Sequence, residues 1–206
     1  APGVTVGMST PIKLAVTEFA TNFDVDTVQG FVTIDGQVNI VDEVTVDIQL
    51  LAGFNMIGLP VDAQITTKEI AEALLPAGTL IGNGPVISIL GWNAGSQSFS
   101  PWAAAAANTN VFAVSPADGI FVRVSEQVTW TIVGIPIADP IAVDLQTGFN
   151  LISIPAATVG GYDARTLAET LLPAGTGIRD GPVISILGWN AGSQSFSPWA
   201  AAAPES

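Results

Sequence analysis

The groups in this chain best suited to bind something sit in one tract that occurs twice. Gly91-Trp92-Asn93-Ala94-Gly95-Ser96-Gln97-Ser98-Phe99-Ser100-Pro101-Trp102 returns unchanged at residues 188–199. Sugar-binding sites are built from flat aromatic faces beside amides and hydroxyls, the rings stacking on the apolar face of the sugar and the amides bonding its hydroxyls. That chemistry would fall to Trp92, Asn93, Gln97 and Trp102, and to Trp189, Asn190, Gln194 and Trp199. The same residues also spell a hairpin turning at Ala94-Gly95-Ser96, with Trp92, Phe99 and Trp102 packed over a helix or a neighbouring module. This structural reading is the favoured one. It expects Trp92 and Trp189 in equivalent, mostly buried places, each hairpin packed on the helix of its own copy.

Other chemistry is thin. The chain has no His and no Cys, so imidazole bases, thiol nucleophiles, thiolate metal sites and disulfides are absent by inventory. Asp24, Asp26, Asp35, Asp42, Glu43 and Asp47 could ligate calcium through oxygen, but without the loop spacing and glycine placement of a calcium motif they read better as a solvated acidic face. No nucleophile lies beside a recognisable base. The expectation is a protein without catalytic residues, cofactor or metal. Five basic residues against 18 acidic ones, a net charge of -13, make nucleic acid and anionic lipid poor partners.

The elements that must position the tract belong to a repeat. Gly53-Phe54-Asn55-Met56-Ile57-Gly58-Leu59-Pro60 returns as Gly148-Phe149-Asn150-Leu151-Ile152-Ser153-Ile154-Pro155, a spacing of 95. Two inserted residues later the spacing is 97, and residues 84–106 match residues 181–203 over 23 consecutive identities. Thr66-Thr67-Lys68-Glu69 is a capping-box pattern ahead of a short helix stopped by Pro76 and Gly78, and Asp163 is the expected N-cap of a helix over 164–172. Alternation marks strands at 44–50 and 128–132. Asp35-Gly36, and Pro116-Ala117-Asp118-Gly119 between 111–114 and 120–124, predict hairpins. The expected fold is mainly β: two tandem sandwich-like or partial-barrel modules, each with one short α-helix.

The two copies are unequally complete. Copy one continues past its shared segment into residues 111–132, whereas copy two reaches the end of the sequence without a counterpart. Residues 31–40 supply a candidate at a spacing of 90, since Phe31, Val32, Gln37 and Val38 match Phe121, Val122, Gln127 and Val128. The division expected is therefore an N-terminal strand segment at 1–43, a complete module at 44–134 and a second copy lacking its last strands at 135–206. An unfinished sheet leaves a row of backbone groups to be paired. Phe31, Val32, Ile34, Val38 and Ile40 are the candidate donor strands, acting within the chain or in a neighbouring subunit.

The order Gly-Phe-Asn-(Leu/Met)-Ile-(Gly/Ser)-(Leu/Ile)-Pro, helix, Leu-Gly-Trp-Asn, Gln-Ser-Phe resembles the Gly-(Trp/Phe)-Asn-Leu-Ile-Ser-Leu-Pro repeats of secreted and surface-anchored multidomain proteins of bacteria and archaea. The match covers 48–106 and 143–203, with Phe54 and Phe149 where Trp is common. The resemblance implies an extracellular, cell-surface setting and carries over no catalytic residue. The start at Ala1-Pro2-Gly3 is read in the same sense, as a processed N-terminus. No apolar run approaches the ~20 residues of a spanning helix, yet mean hydropathy is high at +0.52. The function expected is a structural subunit of a filament, pilus-like, or of a surface layer, a homopolymer joined head-to-tail by strand complementation. The alternative is a polysaccharide- or surface-binding module of a larger secreted protein.

Overall fold

Alternation and turn chemistry draw the chain into short strands in the computed structural model, which describes residues 43–63, 65–137, 141–154 and 163–201. These fall within a unit spanning Val41–Ser206; the other unit, Ala1–Ile40, lies outside the described residues, and with it the Asp35-Gly36 hairpin and the donor candidates Phe31, Val32, Ile34, Val38 and Ile40.

In chain order the elements are β1 Val44–Leu50, β2 Gly53–Ile57, β3 Val61–Asp62, β4 Ile65–Thr66, α1 Thr67–Ala73, β5 Val86–Asn93, β6 Ser98–Ala103, β7 Ala113–Val114, β8 Ile120–Val124 and β9 Val128–Pro136 in copy one. Copy two contributes α2 Ala164–Thr170, β10 Ser185–Asn190 and β11 Ser195–Ala200. The fold is mainly β, and no sheet closes into a barrel among the described residues.

Copy one builds two facing sheets. One has the order β1-β9-β3, the other β2-β8-β5-β6, and the short pair β4-β7 lies beside α1. Leu50, Val61 and Trp130 from the first sheet meet Ile89, Trp102, Ile120, Val122 and Val124 from the second, with Ile70 and Ala71 of α1 completing the core. The helix starts where the capping box places it: Thr66 Oγ1 accepts from Glu69 N at 3.2 Å, and Glu69 Oε2 accepts from Thr66 N at 2.7 Å.

The expected hairpin across residues 111–124 does not form. Asp118 Oδ2 accepts from Ser115 N at 2.8 Å and from Ser115 Oγ at 2.6 Å, so the chain does turn there. Before the turn β7 pairs with β4, and after it β8 enters the other sheet between β2 and β5. The reason lies in β8 itself. Ile120, Phe121, Val122 and Val124 are all buried, so both faces are covered and the strand needs partners on both sides. A two-residue strand cannot supply them.

Copy two repeats the local geometry of copy one. β10 pairs with β11 in the register of β5 with β6, Leu187 opposite Pro198 as Leu90 is opposite Pro101. Asp163 caps α2 as expected, accepting from Thr166 N at 2.7 Å. Asn150 closes its loop by bonding Gln146 N and O at 2.9 and 2.8 Å, as Asn55 bonds Leu51 N and O at 2.9 and 2.8 Å. Asn55 has one bond more, to Val122 O on β8 at 3.4 Å. Among the described residues copy two has no strand standing in the place of β8 or β9.

Candidate functional site

The tips of the two hairpins reach across to the opposite copy. Trp92 Nε1 donates to Phe149 O at 2.8 Å, and the Gln97 side chain brackets the same residue, Oε1 accepting from Phe149 N at 2.7 Å and Nε2 donating to Phe149 O at 3.0 Å. The second tip repeats this: Trp189 Nε1 to Phe54 O at 2.9 Å, Phe54 N to Gln194 Oε1 at 2.7 Å, and Gln194 Nε2 to Phe54 O at 3.0 Å. Each glutamine amide thus presents a donor and an acceptor to one residue's N–H and C=O, as a neighbouring β-strand would. The arrangement is reciprocal, the hallmark of a two-fold relation, here between two halves of one chain.

Local backbone geometry makes the clamp possible. Gln97 and Gln194 both sit at φ 52, the left-handed region that costs a side chain energy, and each is tied back by Nε2 to Ala94 O or Ala191 O at 2.6 Å. Asn93 Oδ1 and Asn190 Oδ1 pin the same turns by accepting from Ser96 N and Ser193 N at 3.0 Å. On the receiving side Gly53 and Gly148 have φ of 100 and 101, and a Cβ there would stand 2.6 and 2.5 Å from the glutamine Oε1. Glycine therefore provides both the turn and the room. Where the motifs meet each other, position 58 faces its own counterpart, and a Cβ on Gly58 would stand 2.2 Å from Ser153 Cβ.

An aromatic cluster fills the seam. The Phe121 ring of β8 lies 5.3 Å from Trp189, 5.9 Å from Phe99, 6.1 Å from Phe196 and 6.3 Å from Phe54, all near perpendicular. Edge-to-face pairs of this kind are worth about 0.5–1.5 kcal/mol each beyond the area they bury. Trp92 and Trp189 do occupy equivalent places, but they are half-buried, not mostly buried, and each indole is bonded to the opposite copy. Four of the eight tract residues singled out in the sequence are thus engaged with backbone of the opposite copy, and Asn93 and Asn190 with their own turns.

The remaining two, Trp102 and Trp199, mark the difference between the copies. Trp102 is wholly buried, its Nε1 donating to Ala107 O at 3.0 Å. Trp199 is half-buried on the wall of an apolar cleft of about 400 Å³ with Ile154, Leu167, Ile186, Gly188 and Pro198. The copy-one counterparts of those residues are Leu59, Ile70, Ile89, Gly91 and Pro101. Leu59, Ile70 and Ile89 are at most 1 % exposed, and the Phe112 ring comes within 2.9 Å of where a Gly91 Cβ would be. At Gly188 the nearest atom to such a Cβ is Ser197 O at 3.8 Å. The cleft is the core of copy one with its cover missing. Leu145 at 43 % and Ile154 at 41 % exposure, against 0 % and 1 % for Leu50 and Leu59, say the same.

Of the acidic cluster, Asp47 accepts from Thr131 Oγ1 at 2.6 Å across β1 and β9; among the described residues no group of three or more acidic side chains is gathered to hold a metal. Among the described residues no helix is long and apolar enough to cross a membrane. Sequence reasoning does not single out the receiving residues Phe54 and Phe149 as half of a clamp. The available signal was that both the Gly-Phe-Asn motif and the Trp-Asn-(x)3-Gln motif occur once in each copy. No protein-family model matches the chain, and no curated protein or solved structure does either.

Proposed function

We propose that this chain is a structural subunit of an extracellular filament, pilus-like, or of a surface layer, working outside the cell at its surface and assembling head-to-tail with copies of itself. Its N-terminal segment completes the second copy of a neighbouring subunit. The observation that carries this reading is the contrast within residues 84–106 and 181–203, which are identical in sequence. The first set is closed into a core by β8 and β9, and the second, among the described residues, keeps the same side chains half open. An apolar cleft and a sheet without its neighbouring strand are costly to leave in water and favour pairing with a strand from elsewhere. Polysaccharide binding through the Trp tract is the weaker reading, because Trp92, Gln97, Trp189 and Gln194 already spend their polar atoms on backbone.

The test is assembly against concentration. Light scattering and electron microscopy of the intact chain should reveal extended particles that a chain lacking residues 1–42 does not form, and a peptide of residues 20–42 should bind the truncated chain. A full-length protein that stays monomeric at high concentration would overturn the proposal.

A further inference from the structure

Copy one shows what the open side of copy two is shaped to receive. We infer that the cleft of copy two is a one-strand receptor for residues 23–40 of this sequence, and that its register is set by the pairing of β8. The inference rests on the proposed strand exchange for its source, a neighbouring copy, but its geometry comes from copy one alone.

In copy one β8 runs antiparallel to both neighbours, Val122 opposite Asn55 and Ile89, Arg123 opposite Phe54 and Ser88, and Val124 opposite Gly53 and Val86. Carried across by the repeat spacings, the slot lies between residues 148–152 and β10. Val32 then stands opposite Asn150 and Ile186, Thr33 opposite Phe149 and Ser185, and Ile34 opposite Gly148 and Val183. The residue types fit the last four of the five β8 places, Gly30 falling at that of Ile120. Of the last four β8 residues, Phe121, Val122 and Val124 are buried and Arg123 is exposed; the donor offers Phe31, Val32 and Ile34 to the same three places and Thr33 to the exposed one. Val32 would also cover Asn150, returning the bond that Asn55 makes to Val122 O and that Asn150, bonded to Gln146 and Gly148, does not make among the described residues.

The neighbouring positions agree. Ile87 falls where the β5–β8 register shifts and is 39 % exposed, whereas its counterpart Ile184, with no such strand beside it among the described residues, is 82 % exposed. Gln127 Nε2 donates to Gln49 Oε1 at 3.1 Å; Gln37 and Asp144 take those places, an amide donor facing a carboxylate acceptor. Upstream, across the turn that precedes β8 and at a spacing of 89 in place of 90, Phe23-Asp24-Val25 repeats the Phe-x-Val of Phe112-Ala113-Val114, whose Phe covers Gly91 and whose Val114 is 1 % exposed. Phe23 over Gly188 would close the cleft, whose 400 Å³ is the liquid volume of about a dozen waters. Pairing by this register also decides which face each side chain meets, since a slip of one residue exchanges the two.

The chain has no cysteine, so engineered pairs report contacts without background. The full-length double variant Thr33→Cys with Ser185→Cys tests the register. Arg123→Cys with Ser88→Cys, the pair that the structure sets opposite in copy one, is the positive control. Thr33→Cys with Ile186→Cys, one residue off and on the other face, is the negative control. Under mild oxidation the test pair should cross-link to within about two-fold of the positive control, and the off-register pair about ten-fold less, because a disulfide needs Cα atoms within about 7 Å and Cβ atoms turned together. Cross-links that build a ladder of multimers support both this register and the strand exchange. Cross-links confined to single chains support the register and overturn the exchange between subunits. Failure of the test pair while the positive control closes, or equal closure of the off-register pair, overturns the receptor.

Discussion

Residues 84–106 and 181–203 have one sequence and two fates. Both fold β5–β6 and β10–β11 into the same hairpin in the same register, with the same pinned turn and the same left-handed glutamine. Yet Val86, Ile89 and Trp102 are buried, and Val183, Ile186 and Trp199 are only half so. Local sequence therefore determines the hairpin, and strands from far along the chain determine whether it has a core. In copy one those strands are β8 and β9, which begin at Ile120 and Val128, 34 and 42 positions after β5 begins at Val86.

The largest break in the comparison should come at its two tryptophans. Trp102→Ala removes a wholly buried side chain and should cost about 3–5 kcal/mol of unfolding free energy in urea titrations. In dispersed protein Trp199→Ala should cost about half of that or less, since much of its surface already faces water. On assembly the two costs should converge. Equal costs in dispersed chains would mean that copy two is already complete in the monomer.

Next comes the point where the copies touch at equivalent positions. Gly58→Ser would make the two motifs alike there, but the new Cβ would stand 2.2 Å from that of Ser153. The backbone must shift, at about 1–3 kcal/mol. Adding Ser153→Gly should restore most of the loss, which a merely local effect at residue 58 would not allow. The clamp should respond symmetrically and less strongly. Gln97→Ala and Gln194→Ala each remove a two-bond bracket of one residue's backbone and should each cost about 1–2 kcal/mol, matching within about 0.5 kcal/mol because their distances agree so closely. Markedly unequal values would mean that the open cleft loosens one side of the seam.

What could be read from the sequence follows the same division between near and far. The capping box at Thr66 and Glu69, the cap at Asp163, the strands at 44–50 and 128–132 and the turn at residues 94–97 are local matters, and residue types near at hand dictate them. The sequence predicts a hairpin ending in β8 because Pro116-Ala117-Asp118-Gly119 does make a turn, and nothing adjacent says that the following strand is wanted between β2 and β5. The Trp and Gln side chains announced that they would bind something polar. That the something is the Gly-Phe-Asn backbone of the opposite copy was illegible, because a backbone N–H and C=O have no residue type to betray them.

The smallest effect should separate the two helix caps by pH. Glu69 and Asp163 are both held below the ordinary carboxylate range, Glu69 first by the backbone and then by the side chain of Thr66, Asp163 first by the backbone of Thr166. A carboxylate whose pKa falls on folding adds stability that is full above its unfolded pKa and is lost as pH falls through the folded one. Both contributions should therefore be intact at neutral pH and fade from about pH 4 downward. Asp163→Asn keeps an oxygen that can cap α2 and removes the charge, so it should leave the urea midpoint at pH 7 nearly unchanged while flattening its decline in acid. Thr66→Ala should act differently, lowering the midpoint at both pH values, since it removes the hydroxyl that Glu69 N donates to. The consequence should also be larger for α1 than for α2. Ile70 and Ala71 of α1 are fully buried in the core, so freeing the first turn disturbs packing, whereas α2 buries only Ala168. Seating a strand over Leu167 and Trp199 should raise the sensitivity of α2 toward that of α1, and acid titrations of dispersed and assembled protein would measure that change.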